Sequence, residues 1–206
     1  MKKKISNKKE EKSVFHQVFI QGQEYKNVIT KRSVWEQLAD SYKGKLSVSE
    51  TIRQDTVLLR LRLSYRDFKI LVIETDTKPL KFEISINLKI NSEFVVYWED
   101  GFERIFKLLG KKDIQIDEPE FDKKYMIQSN EDLLINDLLY YKDIYKLLLK
   151  HNIYSFSSEK NDKSGFHKII TTKDRNTKAY DVMSELIEMQ FAIIDFYYDE
   201  ELIIES

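Results

Sequence analysis

The chain has no cysteine, only two prolines and five glycines, and only three histidines in 206 residues. Without thiols there is no disulfide, no thiolate zinc or iron–sulfur site and no cysteine nucleophile. So little proline and glycine leaves no hinge rich in either residue, and 206 residues suffice for one buried core, so a single folding unit is expected. No segment approaches the roughly 20 apolar residues that a membrane-spanning helix needs. The basic start, Met1-Lys2-Lys3-Lys4, lacks the apolar stretch of a secretory signal. These absences predict a cytoplasmic protein, with residues 1–12 as a disordered basic tail and 13–206 as one α+β domain. The tail lysines could touch anionic lipid or RNA, but no aromatic or amphipathic anchor accompanies them.

Charge of one sign is missing too. Lysine and arginine number 34 against 35 acidic residues, a net charge of −1, and the isoelectric point is about 6.4. A dedicated nucleic-acid binder is usually basic, because counterion release supplies much of its affinity, so the balance argues against a nucleic-acid partner.

What is present is patterning. Leu80 to Ile90 alternates apolar and polar residues, the period of a strand with one buried face. Leu46 to Ile52, Thr56 to Tyr65, Lys69 to Thr75 and Glu93 to Trp98 read as further strands, and their short connections favour antiparallel neighbours. Ile70-Leu71-Val72-Ile73 is apolar on both faces, which predicts a strand covered from both sides. Val14 to Val28 gives mixed signals, either a short strand or an irregular segment. A helix is expected over Ser33 to Lys43, with Ser33 and Glu36 as a capping box and Gly44 as its stop. Phe102, Ile105, Phe106 and Leu109 make the apolar stripe of another short helix, and Asp113 to Ile116 reads as extended. After Pro119 come a strand over Phe121 to Gln128 and one long helix from Glu131 to Lys150, capped by Ser129 and Asp132. Asn152 to Phe156 and Phe166 to Thr172 read as extended, and a final helix covers Asn176 to Tyr198. The predicted fold is α+β: a mainly antiparallel sheet with two long helices packed on one face.

The chemistry is sparse. His16, His151 and His167 lie far apart, with no spacing that would converge on a metal. The ordinary readings place His151 at a helix end and His167 on an exposed strand face. The acidic run Asp117-Glu118-Pro119-Glu120-Phe121-Asp122 lacks the loop glycine and terminal glutamate of a calcium-binding hand and reads as a turn. Gly44-Lys45-Leu46-Ser47 lacks the leading glycine and the Lys-Ser/Thr adjacency of a phosphate loop. Ser164-Gly165 is too little for a nucleophile elbow. No catalytic, metal-binding or ligand-binding residue is assigned, and no cofactor is implied.

Arg53, Arg60, Arg62, Arg66 and Lys69 form the one local basic enrichment, with Tyr65 and Phe68 beside it. On a sheet face this could bind single-stranded nucleic acid. Cross-strand pairing with Glu74 and Glu83 is the commoner use of such positions. Twelve tyrosines and twelve phenylalanines are many for the length. Tyr140, Tyr141, Tyr145, Phe196, Tyr197 and Tyr198 cannot all be buried by one side of their helices, which points to a protein partner or a homo-oligomer.

The passage Gly110-Lys111-Lys112-Asp113-Ile114, followed by Phe121-Asp122-Lys123-Lys124-Tyr125-Met126-Ile127-Gln128-Ser129, resembles a group of uncharacterised bacterial domains. They share a G-x-x-D-I … F-D-x-x-Y-x-I-x-S pattern before a Leu-rich helix, and the likeness spans roughly residues 33–150. Relatives in that group often carry the domain beside transmembrane helices, and none is legible here. The resemblance implies a fold without an activity, with Phe121 and Tyr125 in the core and Asp122 as a turn or cap residue. The sequence as a whole predicts a non-enzymatic binding or protein-interaction module. Its alternatives are an enzyme with a carboxylate-lined pocket and a single-strand binder using the Arg60/Arg62 strand.

Overall fold

The computed structural model describes residues 31–51, 56–75, 78–98, 113–173 and 179–204. The expectations for the basic tail, for Val14 to Val28 and for the stripe Phe102 to Leu109 lie outside them. Strands β1 (Lys45–Thr51), β2 (Thr56–Tyr65), β3 (Phe68–Thr75) and β4 (Leu80–Ile86) run as antiparallel neighbours. β5 (Phe94–Trp98), β6 (Tyr125–Ser129), β7 (Ile153–Lys160) and β8 (His167–Lys173) complete one antiparallel sheet of eight strands, in the order β1-β2-β3-β4-β8-β7-β5-β6.

The alternation in the sequence sets the register. Leu46, Leu61, Val72, Phe82, Thr171, Phe156, Val96 and Ile127 stand opposite one another in a single row across all eight strands. All but half-buried Leu46 are buried, so one face of the sheet is the core wall.

Several expectations change. β4 and β5 are joined by a short connection yet do not pair, because β8 inserts beside β4 and β7 beside β5. The alternating run predicted to Ile90 stops as a strand at Ile86, and beyond it Leu88 bridges Ile203 of the C-terminal tail. In β3 Ile70 and Val72 are buried but Leu71 and Ile73 are half-exposed, so that strand is covered fully on one side only. The expected strand at Phe121 begins instead as a one-turn helix, α2 (Pro119–Asp122), started by the proline whose fixed φ suits a first helical position.

Residues 31–41 are helical and form α1, which buries Trp35 and Leu38. The left-handed residue that ends α1 is Lys43 (φ 50°), not Gly44. Gly44 is needed for space: a Cβ there would collide with the Leu61 and Leu63 side chains.

The long helix predicted over Glu131 to Lys150 is broken. α3 (Asp132–Tyr140) and α4 (Ile144–Lys150) are separated by a short 3₁₀ segment in which Lys142 and Asp143 both adopt the left-handed conformation (φ 47° and 59°). Ser129 Oγ accepts the Glu131 amide at 2.9 Å ahead of α3. α5 (Tyr180–Asp199) carries a nearly continuous apolar side from Met183 to Tyr197. It lies on the core face, where Gln190 and Thr171 exchange hydrogen bonds at 3.4 Å and Phe191 stacks on Tyr65 at 4.2 Å.

Candidate functional site

α4 and α5 run side by side, and an ion pair closes each end of their seam. Lys142 Nζ lies 2.7 Å from Asp195 at one end, and Lys150 Nζ 2.6 Å from Glu185 at the other. Glu185, Glu188, Ala192 and Asp195 recur every three or four residues and so share one side of α5, while Lys150 is the last residue of α4 and Lys142 reaches Asp195 from the left-handed break ahead of α4. Between the two pairs the surface falls into an open depression of about 450 Å³. Leu147, Met189, Ala192, Phe191 and Tyr65 give it an apolar floor and wall, and Lys142, Ser184, Glu185, Glu188 and Asp195 form its rim.

Each rim carboxylate already has a partner. Asp195, buried although charged, accepts from Tyr65 Oη (3.0 Å), Arg66 Nε (2.9 Å) and Lys142 Nζ (2.7 Å). Arg66 also sits over the Tyr198 ring at 4.4 Å. The Asp195 hydrogen bond raises the Lys142 ammonium above its ordinary range and keeps it charged. Glu185 accepts from Lys150 and from His151 Nε2 (2.7 Å), and these two bonds hold its carboxyl below the usual range. Burial pushes His151 down and outweighs the opposing pull of Glu185, so a neutral imidazole donates this bond. Tyr42 donates to Glu188 at 2.9 Å and shares a 2.6 Å bond with Ser184 Oγ; burial raises its hydroxyl pKa.

Lys142 reaches the rim from a left-handed backbone, which costs roughly 1–2 kcal/mol for a residue with a Cβ. Strain of that kind persists only where surrounding contacts impose it, and it gathers at functional positions. The site is not legible in the sequence, because the apolar pattern of residues 131–150 reads as one helix and hides the break from which Lys142 meets Asp195.

The positions singled out in the sequence scatter. His151 caps α4 as expected, but His167 is fully buried, with Nε2 3.3 Å from Asn91 Oδ1, because its place in β8 falls on the core face. The acidic run, read as a turn, is a bend at Asp117 followed by the one-turn α2. Asp122 accepts the Ile116 and Glu118 amides at 3.1 Å each, and Glu118 accepts the Tyr145 hydroxyl at 2.9 Å. Phe121 and Tyr125 are core residues stacked at 4.6 Å. Gly165 (φ 73°) closes the β7–β8 turn beside Ser164. Arg60 and Arg62 face away from the core, whereas Tyr65 and Phe68 lie on the core side, so the rings do not join the arginines. Glu74 also faces the core, pairing with Lys31 at 2.8 Å, and is not on the arginine face. Arg53 and His16 lie outside the described residues. Among the described residues no group of three acidic or histidine side chains is placed to hold a metal ion, and no helix is long and apolar enough to cross a membrane.

Of the crowded aromatics, Tyr145, Phe196 and Tyr197 are buried, Tyr141 is half-buried, and Tyr140 and Tyr198 are exposed.

No family model matches the chain, and no curated protein matches it. Among solved structures it is similar to the mycobacterial trehalose monomycolate transport factor A, TtfA, with 10% identity, a TM-score of 0.49, and coverage of 81% of this chain and 93% of that one.

Proposed function

We propose that the chain is a non-enzymatic binding module that takes a peptide segment of a partner protein in the depression over Ala192. The observation that carries this is the pairing of an apolar floor with a rim whose acids are structurally engaged. A general acid needs a raised pKa and a nearby proton acceptor on the substrate. Here Glu185 is lowered by its lysine and histidine, and Asp195 is already engaged by three donors, which favours recognition over the carboxylate chemistry of the enzyme alternative. An apolar side chain of the partner would cover Leu147, Met189 and Ala192, and a basic residue would meet exposed Glu188. The exposed Tyr198 ring and the Arg66 lying over it extend the same side of the molecule.

The test is a peptide-display selection on the full chain, followed by titration of enriched peptides against Ala192→Arg and Glu188→Lys. Peptides that bind the native chain, lose at least tenfold on Ala192→Arg, as expected where a few central contacts each cost more than about 1 kcal/mol to lose, and prefer glutamate to lysine at 188 support the reading. Recovery of no peptide, or of peptides indifferent to both changes, rejects it.

A further inference from the structure

The arginine face has no part in the depression. Arg60 and Arg62 alternate with buried Leu59, Leu61 and Leu63 and so point away from the core. Strand pairing sets Lys45 directly opposite Arg62 and Ser47 opposite Arg60, while Lys69 stands opposite Ser64. Like charges directly opposite each other weaken a strand pair, and a carboxylate nearby would ordinarily offset that. None does so here. Glu74 is on the core face, and Glu83 is occupied by Lys81 at 2.7 Å and Lys168 at 2.8 Å. Among the described residues, Lys45, Arg60, Arg62 and Lys69 make no side-chain hydrogen bond or ion pair. Four uncompensated cations therefore lie on three neighbouring strands about 5 Å apart, interspersed with serine hydroxyls and the half-exposed aliphatic side chains of Leu71 and Ile73.

We propose that this face docks on an anionic phospholipid surface, the cations meeting headgroup phosphates and the two aliphatic side chains reaching the boundary beneath them. A broad array of cations on a sheet suits an extended anionic surface by charge complementarity. A single nucleic-acid strand offers the same phosphates but gains much of its affinity from stacking on aromatic rings, and Tyr65 and Phe68 lie on the opposite side of the sheet.

The experiment is co-sedimentation of the full chain with phosphatidylcholine vesicles, with and without one third phosphatidylglycerol, beside fluorescence polarisation of a labelled single-stranded oligonucleotide. Binding is expected only to the anionic vesicles and should weaken with salt. Arg60→Ala with Arg62→Ala should weaken it about thirtyfold, at roughly fivefold per cation near such a surface. Arg60→Lys with Arg62→Lys retains the charge and should retain binding, and serves as the reading if the alanine pair fails the check of native melting temperature. Equal sedimentation with neutral vesicles, indifference to the alanine pair, loss of binding in the lysine pair, or oligonucleotide binding without vesicle binding each overturns the proposal.

Discussion

Asp195 carries the most interactions of any single side chain at the site, because three donors converge on it, Tyr65 and Arg66 from the end of β2 and Lys142 from the break before α4. Its substitution by alanine strands Arg66 and Lys142, although both are partly in water and can rehydrate. Hydrogen bonds to charged groups contribute about 1.5–3 kcal/mol, so Asp195→Ala is expected to destabilise by about 2 kcal/mol in a urea titration; no change would mean the convergence is incidental. His167 gives a pH signature. Burial, helped by Lys160 and opposed by Glu93, lowers its pKa from 6.5, so below about pH 6.5 the unfolded chain takes a proton that the native imidazole resists. His151 shifts in the same direction. Stability is therefore complete above pH 6.5 and declines as the pH falls toward the native values. Melting temperatures measured from pH 7.5 to 5 should fall, and more shallowly in His167→Gln. These histidines were only half legible in the sequence. Position at a helix end was enough for His151, but whether His167 faces in or out depends on a strand phase that one polar residue cannot set.

At the scale of elements, the break between α3 and α4 makes the sharpest test. Asp143 is left-handed and its side chain only meets exposed Lys146 at 2.9 Å. Glycine loses nothing in that conformation, so Asp143→Gly is expected to stabilise the chain by up to about 1 kcal/mol. In an unbroken helix the same change would destabilise by about 1 kcal/mol, so the sign of the shift in chemical denaturation decides between them. Strand identities were readable because the half-buried strands alternate cleanly, and α5 because its apolar side is long. The break was not readable, since Tyr140-Tyr141-Lys142-Asp143 contains neither glycine nor proline and its conformation is imposed from outside, by the pairing of Lys142 with Asp195 and of Tyr141 with Asp199. Strand order was hidden for a related reason: β8 is inserted next to β4 by contacts distant in sequence. Gly44, readable only as a helix stop, is fixed by crowding from β2, and Gly44→Ala should cost about 1–3 kcal/mol as an overpacked contact.

For the molecule as a whole, one sheet face supplies the core wall while α5, lying on that wall, offers its outward ridge to solvent. Phe82 sits fully buried within the row that crosses the sheet, and Phe82→Ala is expected to cost about 3–5 kcal/mol in equilibrium unfolding. Burial accounts for Tyr145, Phe196 and Tyr197 among the crowded aromatics without invoking a partner. What burial leaves unexplained is the depression between the two ion pairs, with its strained lysine and its apolar floor. Hydrogen exchange of the full chain with and without a display-selected peptide tests that point most directly. Slowed exchange confined to residues 142–150 and 184–195 is the expected result, and slowing elsewhere with these two segments unchanged would contradict the account.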